Sequence, residues 1–354
     1  MAATDTQVPG DALAAFVGAL FERLGVPAAG ARVAANALVA ADLDGVGSHG
    51  VMLVPMYVDR LVAGSVSKAG AASLARDDGS AVVLDAGNAL GQITSHQAVE
   101  LLVERARAHG LASVAVRNAF HFGAAGYWAR ALADAGLIGV AMCNTRPLMP
   151  APGGAERLVG NNPLAIAIPA AGGESLVLDM ALSATAMGKI RLAESAGQPI
   201  PAGWAVDGEG RPTTDPATAI KGMLLPAAGP KGFGLALMID LLCGGLSGGA
   251  IGAEVKPLYG DAAVPYGCAH LFIAIAPAKF GVEGELATRV AAFAQSVRSS
   301  RPAFGVDRVH APGDIELARR KANAGACPLP ADVLEKLVAA GQRFDVPTAS
   351  ISTH

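Results

Sequence analysis

Leu111-Ala112-Ser113-Val114-Ala115-Val116-Arg117, followed by Asn118-Ala119-Phe120 and then His121-Phe122-Gly123-Ala124-Ala125-Gly126, is the stretch on which the fold turns. Leu111 to Arg117 reads as a strand, and Ala125 to Ala135 behind it as a helix. A helix over Gln92 to Ala108 precedes this unit and a strand over Leu137 to Asn144 follows it, an alternation that specifies an α/β lobe. The loops of such a lobe are where a ligand is sought. At the junction 121–126, free backbone N–H groups and the helix dipole attract phosphate, and Gly123 and Gly126 permit close approach. The same residues would equally make a tight turn around a satisfied histidine.

Working outward, composition shifts near residue 73, where Leu74-Ala75-Arg76 and Ala81-Val82-Val83-Leu84 flank Asp78-Gly79, a pairing favoured in type I′ hairpins. Strands at Leu164 to Ile168 and Ser175 to Leu178, joined through Gly172-Gly173, make the sheet mixed. A helix over Ser183 to Ala196, Pro-punctuated irregular chain to Pro226, a small-residue helix over Gly234 to Leu246, a strand over Leu271 to Ile275 and a helix over Glu283 to Ser299 complete the lobe. Before it lie helices starting behind Asp11, over Ala28 to Asp42, and over Val51 to Ala63 with Pro55 near the first turn, so that His49 stands at the start of the third. Beyond Pro312 only helices are expected, at Asp314 to Ala322 and Ala331 to Gln342. The division is therefore residues 1–72 and 301–354 as one helical lobe built from both termini, and 73–300 as the α/β core.

With 354 residues, 52% hydrophobic and 16% charged, the chain has the length for two or three lobes packed by small aliphatic side chains. A net charge of −3 without a basic run excludes a nucleic-acid surface that neutralises phosphates. Cys143, Cys243, Cys268 and Cys327 are dispersed among apolar neighbours, which points to reduced core thiols and to neither disulfides nor a metal site. No signal segment or membrane span is indicated, so a cytoplasmic protein acting on a small molecule is expected.

Asp42-Leu43-Asp44-Gly45-Val46-Gly47-Ser48-His49-Gly50 places a histidine beside a serine between glycines. That histidine titrates near neutrality and can pass a proton. Gly245-Leu246-Ser247-Gly248-Gly249 matches the hydrolase elbow in letters only, because Ser247 leaves a helical run instead of a strand. Met187-Gly188-Lys189 is no phosphate loop, and no strand-bound G-x-G-x-x-G exists. Gly229-Pro230-Lys231-Gly232-Phe233-Gly234 sets a lysine at a Gly-rich helix start suited to phosphate or ribose oxygens.

Together with Pro55, Tyr57, Gly160-Asn161-Asn162-Pro163, Leu178-Asp179-Met180-Ala181, Ser183, Gly188-Lys189 and Pro312-Gly313-Asp314, these motifs resemble the type-2 malate/L-lactate dehydrogenase family over nearly the whole chain. The resemblance implies a mixed-sheet, non-Rossmann fold binding NAD or NADP, with NAD favoured, and a homodimer. It implies that His49 is the acid/base for the substrate oxygen and Ser48 its orienting partner. His121 would stand by the nicotinamide, with an acid/base role in some members. His121, Phe122, Gly123, Ala124, Ala125, Thr145, Asp179, Met180, Ala181 and Lys231 would hold the cofactor, with Pro312 and Gly313 beside them.

Three positions depart from the family pattern. Leu53 replaces an arginine that takes the substrate carboxylate, Asn161 replaces a threonine, and Lys189 replaces the aspartate of cyclic-imine reductases. Leu53 suits a bulkier 2-oxo acid and would widen the apolar side of the pocket. Arg146, in the loop behind Thr145, is the expected carboxylate ligand, with help from Asn161. The expected activity is NAD(P)-dependent interconversion of 2-oxo and 2-hydroxy acids. A cyclic imino acid reductase and a catalytically silent dinucleotide-binding relative are the alternatives.

Overall fold

The computed structural model describes residues 5–282 and 284–352. Strand β1 (Thr6–Pro9) leads into helices α1 (Gly10–Arg23), α2 (Ala28–Leu43) and α3 (Val54–Ala63). The core then runs β2 (Ser73–Asp77), β3 (Ala81–Asp85), α4 (Gly91–His109), β4 (Leu111–Ala119), α5 (Ala125–Asp134), β5 (Ile138–Cys143), β6 (Leu164–Ile168), β7 (Leu176–Met180) and α6 (Met187–Ser195). After it come β8 (Ala205–Val206), β9 (Pro212–Thr213), α7 (Pro216–Lys221), β10 (Met223–Leu224), α8 (Pro230–Asp240), β11 (Cys268–Ile275), α9 (Glu285–Arg298), α10 (Asp314–Asn323), β12 (Ala326–Leu329) and α11 (Ala331–Arg343).

Seven strands form the main sheet in the order β2-β3-β4-β11-β5-β6-β7. Only β3 and β4 run parallel, linked by α4, and every other neighbour is antiparallel, so the sheet is mixed. Residue alternation along each strand feeds two cores. Val114 and Val116 of β4, Ala141 and Cys143 of β5, and Phe272 and Ala274 of β11 join the core that also holds α4 and α5. Ala115, Met142, Ala269 and Leu271 point the other way, against Ile190 of α6 and Ala236 and Ile239 of α8. The sheet is thus a filling between two helical layers.

Several expected elements differ. The Asp78-Gly79 hairpin turns on Gly79-Ser80, where only Gly79 takes a positive φ (76°), the pattern of a type II′ turn. The helix expected from Ser183 starts at Met187, because Ser183 bridges Pro226 and its hydroxyl donates to Thr185 O at 2.7 Å. The small-residue helix begins earlier, at Pro230, and continues past Asp240 as a π-helical turn over Leu241–Gly245. The chain between Pro199 and Pro226 is not wholly irregular, since β8, β9 and β10 form a small sheet around α7.

Beyond Pro312 the chain is not only helical. Strand β12 pairs antiparallel with β1, Thr6 opposite Leu329, and Gly10 N–H donates to Gly325 O at 2.8 Å. That ladder, with α11 packed on α3 and α10 on α2, builds one helical lobe from both termini. Asp44 at the end of α2 is bound by Arg130 of α5 (3.1 Å) and Arg320 of α10 (2.6 Å), tying that lobe to the core. Cys143, Cys243, Cys268 and Cys327 are buried and unpaired. No helix among the described residues is long and apolar enough to cross a membrane.

Candidate active site

Helix α2 ends as Gly45 N–H donates to Asp42 O and Val46 N–H to Ala41 O, and the chain then makes a 3₁₀ turn over Gly47–His49. Gly50 is extended (φ −94°, ψ −153°), and a second 3₁₀ turn, Val51–Leu53, precedes α3. His49 therefore closes a one-turn segment instead of starting the long helix. The reason is Asp42, which is 6% exposed and lies beneath this turn. Val51 N–H donates to its Oδ2 at 2.7 Å. A Cβ at position 50 would fall 2.2 Å from Oδ1, so only glycine lets the backbone wrap the carboxyl this closely. Burial pushes the Asp42 carboxyl up to about 7, against the opposing hydrogen bond from Val51.

From this turn His49 faces His121 at the end of β4. The rings stack at 5.6 Å between centroids and 22° between planes, and Ser48 Oγ lies 3.0 Å from His49 Nδ1. Tyr57 of α3 places its hydroxyl 2.7 Å from His121 Nδ1, Gln92 Nε2 of α4 donates to that hydroxyl at 3.0 Å, and Gly123 N–H donates to the same Nδ1 at 3.4 Å. Gln92 and Tyr57 are fully buried, and Gln92 Oε1 has no partner among the described residues, which costs roughly 1–3 kcal/mol for a buried acceptor. Burial lowers the His121 pKa to about 3, with smaller contributions from His49 and His270, and burial also lowers that of His49. Trp128 Nε1–H donates to Phe122 O at 2.9 Å, and Phe122 stacks on the buried His270 at 4.5 Å, so the 121–126 loop is pinned from behind.

The expected cofactor residues converge in part. Gly126 N–H, offered to phosphate in the sequence reading, donates instead to Asp179 Oδ2 of β7 at 2.7 Å. A carboxylate thus takes one of the free amides at the start of α5, behind Ala124 and Ala125. Burial pushes Asp179 up to about 6, opposed by the Gly126 bond, although the residue keeps solvent access. Past Met180 and Ala181, Leu182 N–H donates to Asn161 O. Thr145 Oγ1 donates to Asn161 Oδ1 at 2.9 Å, and Thr145 N–H to Asn162 Oδ1 at 2.8 Å. Pro312 O accepts from Val177 N–H at 3.3 Å, which lays Pro312-Gly313 along β7 two residues from Asp179. Lys231 is exposed in the first turn of α8 and makes no hydrogen bond or ion pair among the described residues.

On the substrate side, Leu53 is 2% exposed and packs in the core with Val51, Val54 and Tyr57. Arg146 is half-buried and forms no ion pair or hydrogen bond among the described residues. Burial lowers its pKa, and Tyr266 works in the opposite direction. Tyr266 stands edge-on to Phe120 (6.1 Å), which stands edge-on to Tyr57 (4.9 Å), linking the surroundings of Arg146 to those of His121. Lys189 is exposed at the start of α6. Ser247 is buried and donates to Gly244 O at 3.1 Å, with no elbow around it.

Asp42 and Gln92 are the residues that sequence reasoning missed, and Tyr57 was visible only as part of a motif. A flat, amide-bearing ring suits this cleft. Gln92 Oε1 is a buried acceptor without a partner among the described residues, and a Cβ above Gly123 would come no closer than 3.8 Å to any neighbour.

Residues 8–338 match the family described as malate/L-lactate dehydrogenase. The chain belongs to this family. Among its relatives, the (2R)-3-sulfolactate dehydrogenase (NADP(+)) of Chromohalobacter salexigens is 38% identical over 90% of this chain and 93% of that protein. The ureidoglycolate dehydrogenase (NAD(+)) of Escherichia coli O157:H7 is 36% identical over 87% and 88%. The solved sulfolactate dehydrogenase of Methanocaldococcus jannaschii superposes with a TM-score of 0.91 at 32% identity, over 96% of this chain and 98% of that one. Such coverage makes the malate/L-lactate dehydrogenase family the frame for the whole chain, both lobes included.

Proposed function

We propose that the protein is an NAD(P)-dependent 2-hydroxyacid dehydrogenase, reducing 2-oxo acids in the reverse direction. The observation that carries this reading is the stacked His49–His121 pair, with Ser48 on one ring and an open cradle at Gly123 beside the other. Bound nicotinamide supplies the hydride acceptor or donor at C4. His49 manages the proton of the substrate oxygen. Ser48 Oγ lies 3.0 Å from Nδ1, and assigning that contact as Nδ1–H donating to Ser48 Oγ makes Nε2 the atom that loses and regains the proton; such transfer contributes typically about 10²–10⁴-fold. Asp179, Thr145, the loop from His121 to Ala125, Met180, Ala181, Lys231, Pro312 and Gly313 would hold the dinucleotide. The relatives named above pair with either cofactor, and NAD is our reading for this chain.

Arg146 is the proposed carboxylate ligand, aided by Asn161, because a guanidinium with no protein anion is free to take one from the substrate. Arg146→Ala is expected to raise KM for 2-oxo acids about tenfold or more, equivalent to roughly 1.4 kcal/mol. Equal KM values in mutant and parent would return Arg146 to the loop surface. Pyruvate, phenylpyruvate, oxaloacetate and piperideine-2-carboxylate, each followed by nicotinamide absorbance with NADH and NADPH, test the activity. Reduction of the imine alone, or cofactor binding without any turnover, would overturn it.

We further read the protein as a cytoplasmic homodimer. Leu235, Met238, Leu242 and Leu246 make an exposed apolar stripe along α8 and its π-helical extension, with Leu246 60% exposed, and the buried free thiols suit a reducing compartment. A monomer in sedimentation at micromolar concentration would remove the dimer.

A further inference from the structure

We propose that Gln92 and Tyr57 are positioning residues that fix His121 as a neutral ring with its proton on Nε2, so that His121 meets the substrate oxygen as a hydrogen-bond donor while His49 alone exchanges the proton. The inference rests on the dehydrogenase reading above for its chemistry, but not for its geometry.

The direction of each bond follows from counting protons. Gln92 Nε2 can only donate, and it donates to the Tyr57 hydroxyl at 3.0 Å. That hydroxyl has a single proton to give. It lies 2.7 Å from His121 Nδ1 and 3.3 Å from His121 O, so the shorter contact takes the proton. Gly123 N–H is aimed at the same Nδ1 at 3.4 Å. Two donors converging on one ring nitrogen leave it only a lone pair, and a neutral imidazole then carries its proton on Nε2. Turning the Tyr57 hydroxyl to His121 O would set Nδ1–H against the Gly123 N–H.

The surroundings hold the ring neutral. His49 is stacked on it, His270 lies behind Phe122, and burial disfavours charge on all three imidazoles. Burial also pushes the Tyr57 phenol up, so its proton stays in place throughout the working pH range. A neutral donor polarises an oxo group without releasing a proton to it, which leaves the transfer to one defined atom, His49 Nε2. The orientation of the Gln92 amide matters to this count, and the Gly123 N–H aimed at Nδ1 is the backbone contact that favours the one shown. Rotating that amide would pair Oε1 with the Tyr57 O–H, make the phenol oxygen accept from Nδ1–H, and strip Nε2 of its proton.

Ring-nitrogen ¹⁵N NMR of the free protein, with the His121 signals assigned by loss in His121→Gln, reads the tautomer without cofactor or substrate. The expected parent pattern is a lone-pair Nδ1 and a protonated Nε2. In Gln92→Glu, read at a pH where the new carboxyl is ionised, the carboxylate can only accept, and the two positions should exchange, with kcat falling about tenfold or more and cofactor KM within about twofold of the parent. Tyr57→Phe should blur the preference toward an average. Nδ1 protonated in the parent, or an unchanged ¹⁵N pattern in folded Gln92→Glu, would overturn the proposal. If Gln92→Glu does not fold, the parent tautomer and Tyr57→Phe still decide. The expected tautomer in a protein that turns over no 2-oxo acid would support this assignment and count against the dehydrogenase reading alone.

Discussion

His49→Ala is expected to lower turnover roughly 10²–10⁴-fold, the range in which a positioned general acid or base contributes, with cofactor affinity nearly kept. Its side chain enters the cleft from a 3₁₀ turn held by Asp42, whose backbone hydrogen bonds and Val51 N–H contact do not involve the imidazole; the ring's one bond within the turn is the exposed contact with Ser48 Oγ. Removing the ring therefore removes chemistry more than architecture. Because burial lowers the His49 pKa, hydroxyacid oxidation, which needs the neutral ring, should persist to more acidic pH than free imidazole would allow and fall only below that lowered value. A variant with parental turnover would take His49 out of the mechanism, and one that also lost cofactor binding would give it a structural role.

Gly91→Ala is expected to damage the same site from the opposite side. Position 91 begins α4, and a Cβ there would lie 2.1 Å from Phe120 O, 2.5 Å from His121 O and 2.7 Å from His121 C. All three are backbone atoms, so no rotamer change relieves the collision. Either α4 or the end of β4 must shift by something on the order of an ångström, a displacement that can cost about 10²-fold in rate when it moves a reacting group. Overpacking adds about 1–3 kcal/mol of instability. A lowered Tm together with a kcat loss near 100-fold is the expected result. A variant matching the parent in both would mean that the close approach at Gly91 is not needed.

Leu53 shows where sequence reasoning and structure part company. Its place in the motif suggested a pocket wall, and in this structure the side chain is only 2% exposed and belongs to the larger of the two apolar cores. Spacing identifies a position in a motif but not the direction in which the side chain packs. What the sequence revealed well were features with a local cause. Apolar periodicity located α1, α2, α4, α5, α9 and α11 to within a few residues, and the strand-loop-helix passage through His121 was visible because valines, glycines and a helix start follow one another directly. Features created by distant meetings were not legible. Strand β11 takes the centre of the sheet, between β4 and β5, from about 150 residues downstream of β4. The β1–β12 ladder joins two four-residue segments, each containing a proline, which are too short to show a period. The Gln92–Tyr57–His121 series needs α3, α4 and β4 to meet, and a lone glutamine at a helix start carries no signal of it.

The carboxyl wrapped by the Gly47–Val51 backbone also gives folding a proton inventory. In the unfolded chain Asp42 titrates near 3.8, and in the folded chain near 7. Below pH 4 both states carry the proton, and nothing is gained or lost. Between these values the native state holds a proton that the unfolded state has released, so stability falls as pH rises through this window. Above 7 the penalty is complete, at most about 4 kcal/mol from a shift of roughly three units. Refolding between pH 4 and 7 should therefore draw protons from the buffer, and its calorimetric heat should change with the buffer's ionisation enthalpy. The protein meets its highest cost for this turn in alkali, where the hydride acceptor side of the reaction is otherwise best served.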